Sequence, residues 1–204
     1  FMSLPKFPEG FSADFLNLTL SEKFLPSGIS IQDVSAEPLA EGTGMMADIS
    51  KLTFKYNTEP AHLPFSVIAK YASENATNRE VAMNMNLYER ETRFADELDP
   101  QTEARCPAFY YCALDGDNFL ILMEDLSDYE VGDQAIGANL EQTELAIDEL
   151  AKLHSAFWDQ TSTLKWVPGI AKSYHADNMR NWSRTGWDPM VKAQRVKVAL
   201  KQVV

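Results

Sequence analysis

Only two cysteines occur in 204 residues, Cys106 and Cys112. This excludes a disulfide scaffold, and their spacing matches no metal-binding pattern. In an extended segment they stand about 20 Å apart at roughly 3.3 Å per residue, too far for a bridge, so both are expected as thiols. Long apolar runs are also missing. None approaches the roughly 20 residues that cross a bilayer as a helix, and the opening stretch FMSLPKFPEG lacks the apolar core of a secretory signal. Basic charge is short as well: 18 Lys and Arg stand against 30 Asp and Glu, a net charge of −12, which argues against nucleic acid as a partner. What remains is a globular composition, 45% hydrophobic, long enough for one large domain or two small lobes with a sizeable core. A cytoplasmic protein is expected.

The most informative stretch is Pro64-Phe65-Ser66-Val67-Ile68-Ala69-Lys70-Tyr71. It is apolar and partly β-branched, with Pro60 and Pro64 before it and Ser73, Asn75 and Asn78 after it, the signals of a strand. Alternation puts Lys70 on one face with Ile68 and Ser66, so its ammonium leaves the sheet beside apolar neighbours and needs an anion. A carboxylate and a phosphate both qualify. The next element supplies a carboxylate: Leu87, Tyr88, Phe94, Ala95 and Leu98 recur at helical spacing, and Glu91 falls within that stripe while Glu89 and Asp96 project elsewhere. A strand lysine followed by a helix with one inward glutamate is the arrangement of protein kinases, where the lysine holds nucleotide phosphates and the glutamate holds the lysine. A purely structural ion pair is the other reading.

Around this pair the pattern predicts a short helix over 12–25, with Phe15, Leu16, Leu18 and Leu20 in contact with the core and Pro26-Ser27-Gly28 ending it. Strands follow over 29–39 and 45–56, separated by Glu41-Gly42-Thr43-Gly44. Gly42 and Gly44 let the backbone turn sharply and leave N–H groups free for phosphate oxygens, although the third glycine of a kinase loop is missing and Ser50 and Lys51 follow instead. Beyond the Glu91 helix, strands at 109–113 and 119–123 flank the turn Asp115-Gly116-Asp117-Asn118. The fold class is therefore α+β, with five short antiparallel strands and one helix inserted after the third. Met123 then gives way to Glu124, Asp125 and Leu126, an abrupt change to a polar connector that reads as a hinge. A helix over 140–158 is announced by Asn139 as cap and Gln142 three residues on. Its stripe includes His154, expected as a packing residue. A terminal helix over 189–203 carries Lys192, Arg195, Lys197 and Lys201 as a solvated basic face.

The stretches SVIAKY, YERETRFADEL, LILMEDL with VGDQ after it, and ELAKLHSAFW together resemble the ecdysteroid-kinase-like branch of the aminoglycoside and choline phosphotransferases over roughly residues 40–160. Ala95 departs from the aromatic residue the family often has there, a matter of packing. The resemblance implies a kinase-like amino-terminal lobe over 1–123, a connector over 124–138, and the start of a helical carboxy-terminal lobe over 139–204. It also implies ATP as phosphate donor. Lys70 would contact its phosphates, Glu91 would position Lys70, Gly42 and Gly44 would lie over the phosphates, and Met123, Glu124, Asp125 and Leu126 would hold adenine.

The family's later elements are the largest absence. A phosphotransferase also needs a catalytic aspartate on a loop and a second acidic residue for Mg²⁺. The nearest imitation, His175-Ala176-Asp177-Asn178-Met179-Arg180-Asn181, has its asparagine one residue early, Trp182 in the expected place, no apolar strand before it and no metal-binding segment after it. No catalytic residue is assigned, and the chain is expected to stop short of the chemistry. It reads as the front of an ATP-dependent kinase for a hydroxyl of a small molecule, with Mg²⁺ expected only alongside the missing segments. The alternative is a non-catalytic nucleotide-binding or interaction module that self-associates through its incomplete lower lobe.

Overall fold

Alternating and continuous apolar runs sort the chain into strands according to how many faces each buries. The computed structural model describes residues 4–5, 8–20, 24–39, 46–133, 136–167, 176–177, 179–181 and 183–185. Five strands, β1 (Ile31–Leu39), β2 (Ala47–Tyr56), β3 (Ser66–Ala72), β4 (Phe109–Asp115) and β5 (Asn118–Glu124), form one antiparallel sheet in the order β1-β2-β3-β5-β4. Pro38 is tolerated because β1 lies at an edge. Asp115 pairs with Asn118 across a two-residue turn whose Gly116 has φ 61°, a conformation that favours glycine.

Burial explains the two central strands. Residues 118–122 of β5 are all buried, as expected of a strand covered on both faces. In β3 the buried positions Val67, Ala69 and Tyr71 alternate with the half-buried Ser66, Ile68 and Lys70, so one face of β3 is only partly covered. The closed face packs on α1 (Ala13–Leu20), where Phe15, Leu16 and Leu20 join Leu52, Phe54, Val67, Ala69, Leu120 and Leu122 in the main core. Ser50 and Tyr71 bury their hydroxyls there by sharing a 2.9 Å hydrogen bond.

Leu18, expected in that core, is 65% exposed. At about 100° per residue it lies opposite the side shared by Leu16 and Leu20. The segment between β3 and β4 also holds more than one helix. α2 (Ala76–Asn84), capped by the Asn75 side chain, precedes α3 (Leu87–Arg93). After α3 the chain loosens into a π turn at Phe94–Leu98 and a 3-10 turn at Asp99–Gln101. Pro100 is the physical reason, since its ring clashes with the carbonyl four residues back and cannot continue a regular helix.

By contacts the chain divides into two units, Phe1–Gln160 and Thr161–Val204. The first includes α4 (Leu140–Ala156), whose Asn139–Gln142 capping box forms as expected. His154, however, is exposed rather than packed, and no residue of α4 is buried. In the second unit the described residues include a 3-10 turn at Thr161–Thr163 and an Asp177–Arg180 ion pair of 2.6 Å. The expected terminal helix over 189–203 lies outside the described residues. No described helix is long and apolar enough to cross a membrane.

Candidate functional site

Register decides what Lys70 sees. It stands opposite Ile49 of β2 and Ile121 of β5, and in the next row of the same face Ile68 stands opposite Lys51 and Met123. Phe119 and Ile121 continue this face into a second core with Ala47, Ala72, Ala82 and Tyr88, so α3 covers one end. The remainder, Ile49, Ile68, Lys70, Lys51 and Met123, is half-buried: an apolar floor with a lysine in each of two rows.

Glu91 reaches Lys70 from α3 and forms an ion pair through Oε1. The two side chains are 24% and 39% exposed, so water reaches the pair and its Coulomb attraction is damped. Tyr88 holds α3 in place. Its ring stacks on Phe119 with centroids 4.3 Å apart, and its hydroxyl donates to the Met46 carbonyl at 2.7 Å and accepts from the Ser73 N–H at 3.3 Å. Because Glu91 lies one turn beyond Tyr88, anchoring that residue to Met46 just before β2, Ser73 just after β3 and Phe119 of β5 sets where the carboxylate falls. Glu89, by contrast, pairs along the helix with Arg93 at 3.1 Å, and Asp96 is exposed.

The connector's two acidic side chains both turn back onto the protein. Glu124 accepts from Arg105 through both oxygens at 3.2 Å and from the Ala108 N–H at 3.0 Å, and these hydrogen bonds hold its carboxyl below the usual range. Asp125 is 9% exposed and accepts from Lys51 at 2.8 Å and Ser66 at 2.6 Å through Oδ2. Its Oδ1 accepts from the Ser127 N–H at 3.0 Å and from the Ser127 hydroxyl. Burial pushes the Asp125 carboxyl up, but the hydrogen bonds from Lys51, Ser127 and Ser66 outweigh it and hold the group well below the usual range. The Glu124 N–H donates to the Ala108 carbonyl at 2.8 Å and the Leu126 carbonyl accepts from Tyr129 at 2.9 Å. Among the described residues no acceptor meets the Leu126 N–H. The connector thus offers a ligand its main chain rather than its carboxylates.

Of the residues read from sequence, Lys70 and Glu91 meet, and Met123 lies on the same half-buried face, with Glu124, Asp125 and Leu126 following it. Gly42 and Gly44 lie outside the described residues, as do His175 and Asn178 of the imitation loop. Asp177 is exposed and paired with Arg180. Sequence reasoning passed over Lys51 as a partner of the connector. The signal was a lysine between Ile49 and Thr53 on one strand face. No disulfide joins Cys106 and Cys112. Burial, with the side chain of Asp99 next in weight, pushes the Cys106 thiol up to about 11, so it is no thiolate nucleophile near neutrality.

Among the described residues no three His, Cys, Asp or Glu side chains gather as a metal site. Comparison with curated proteins gives no match. The model of the ecdysteroid kinase-like family matches residues 41–165, more than half of the chain. That span runs from the segment before β2 through α4 and contains the Lys70–Glu91 pair and the connector. The chain therefore belongs to the ecdysteroid kinase-like family, a family of kinase-like phosphotransferases, and its five-stranded antiparallel sheet with α1, α2 and α3 is a kinase-like amino-terminal lobe.

Proposed function

We propose that this chain carries the nucleotide-holding part of an ATP-dependent phosphotransferase that acts on a hydroxyl of a small molecule. The observation that carries the reading is the Lys70–Glu91 ion pair at the edge of a half-buried apolar floor. The residues fit ATP in kind. Ile49, Ile68 and Met123 offer a flat apolar surface to a base, and the Leu126 N–H offers a donor at its edge. Lys70 offers a cation to the phosphates, with Glu91 keeping that cation aimed while the site is empty. Gly42 and Gly44 are assigned to a loop over the phosphates. Among the described residues no three His, Cys, Asp or Glu side chains gather; no Mg²⁺ ligand and no catalytic residue is assigned, and no step is routed through a metal.

Calorimetry with ATP on the full chain tests the reading. ATP binding, weaker than the micromolar affinities common for enzyme substrates, is expected to disappear in Lys70→Ala. Binding unaffected by that change overturns the reading. Acceptor-dependent conversion of ATP to ADP, with the phosphoryl group recovered on an amino alcohol or sterol, that is lost in Asp177→Asn would assign catalysis to the segment 175–181. One observation favours a second reading, a non-catalytic module that self-associates: Leu140, Leu145, Ile147 and Leu150 of α4 are 75%, 63%, 58% and 48% exposed. A sedimentation-velocity measurement that finds only monomer at high concentration removes it.

A further inference from the structure

The Asp125 carboxylate is saturated. Four donors from three places reach it: Lys51 of β2, Ser66 of β3, and the main chain and hydroxyl of Ser127 in the connector itself. Lys51 also approaches the Ser127 hydroxyl at 3.4 Å. A carboxylate held this way cannot rotate without breaking several bonds at once, so the peptide units on both sides of residue 125 are held with it. Those units carry the Glu124 carbonyl and the Leu126 N–H, main-chain groups that follow Met123 of the apolar floor directly in the chain.

Lys70 and Lys51 lie on the same face of the sheet, one row apart, through the pairings with Ile49 and Ile68. Lys70 is tied to α3 through Glu91, whereas Lys51 is tied to the connector through Asp125. Ile68 and Met123 lie between the two pairs. Lys51 is 30% exposed but its partner only 9%, and hydrogen bonding to Asp125 raises the Lys51 pKa. Both groups are therefore charged near neutral pH, and the cation of Lys51 is neutralised where it stands. One ion pair thus faces the position assigned to phosphates and the other braces the position assigned to the base.

We propose that Lys51 and Asp125 are positioning residues which hold the connector's main chain in register with the nucleobase, so that they set affinity for the base while Lys70 sets affinity for the phosphates. The inference rests on the nucleotide-binding reading above. It differs from a merely structural brace in what it does to two ligands: the base moiety feels the clamp, and inorganic tripolyphosphate does not.

The test is calorimetry of the full chain with ATP and, separately, with inorganic tripolyphosphate, for wild type, Lys51→Met, Asp125→Asn, Lys51→Arg and Lys70→Ala. Loss of preorganisation is expected to weaken ATP about tenfold in Lys51→Met and Asp125→Asn and to leave tripolyphosphate unchanged, while Lys51→Arg, which keeps charge and reach, restores most of the affinity. Hydrogen exchange of amides 124–129, measured without ligand, is expected to quicken in the same two variants. Should Asp125→Asn fail to fold, Lys51→Met carries the comparison alone. Unchanged ATP affinity in a folded variant, or equal loss of ATP and tripolyphosphate, overturns the clamp while Lys70→Ala still abolishes binding. Binding of ATP that ignores Lys70→Ala, or no binding to wild type, overturns the nucleotide reading and the clamp with it.

Discussion

Lys70 and Glu91 show how solvent access grades an ion pair. A fully buried pair broken on one side costs about 3–5 kcal/mol, but these side chains are a quarter and two-fifths exposed. Glu91→Ala is expected to cost about 1–2 kcal/mol, between that limit and the small value of exposed pairs. Glu89→Ala, which removes an exposed bond to Arg93, is expected to cost about 0.3–0.5 kcal/mol. Urea unfolding of both variants checks the order, and equal midpoints would remove the special status of Glu91. Asp125 makes a prediction in pH. Its folded value lies below its ordinary value of 3.8, so its contribution is complete above about pH 4 and is lost as pH falls from there towards the folded value. The stability gap between wild type and Asp125→Asn is expected to be widest near pH 6 and to narrow below about pH 4. A gap constant from pH 6 to pH 2 would contradict the assignment.

At the scale of elements, α3 and α4 contrast. α3 is only two turns long, Leu87–Arg93, and holds its place through Tyr88 and its contacts to the sheet. α4 buries no residue, so its helicity leans on local terms, of which the Asn139 capping box is the clearest. Asn139→Ala is expected to cost about 1 kcal/mol of helix stability, read as faster amide exchange over the first turn of α4 with the sheet amides unchanged. The sequence pattern located both helices. It did not show the break after Arg93 as a π turn, because a run of apolar positions at helical spacing looks the same until Pro100 acts on the carbonyls before it. It also left α2 unmarked, since Ala76–Asn84 has a single buried residue, Ala82, and no apolar stripe to read.

For the whole molecule, stability resides in the closed face of the sheet. Leu52, fully buried in the main core, is expected to cost about 2–5 kcal/mol as Leu52→Ala through lost burial and the cavity left behind. Leu150, also a leucine within a regular element, is 48% exposed, and Leu150→Ala is expected to cost less than about 1 kcal/mol. Thermal unfolding of the two proteins checks the contrast. A large loss for Leu150→Ala would mean that α4 is covered in solution, as the self-association reading requires.

The order of apolar and polar residues by itself determined five strands and the turn between the last two, because strand alternation, prolines and the Asp115-Gly116-Asp117-Asn118 turn are local properties of the chain. It also singled out Lys70 and Glu91, since a charge inside an apolar pattern is visible without coordinates. Only the tertiary structure decided which charges meet. The Lys51–Asp125 pair joins residues far apart in sequence, and its existence depends on β2, β3 and β5 lying side by side in one register. The exposure of His154 was likewise a tertiary decision: helical spacing puts it on an apolar stripe, but a stripe becomes a core only where another surface covers it.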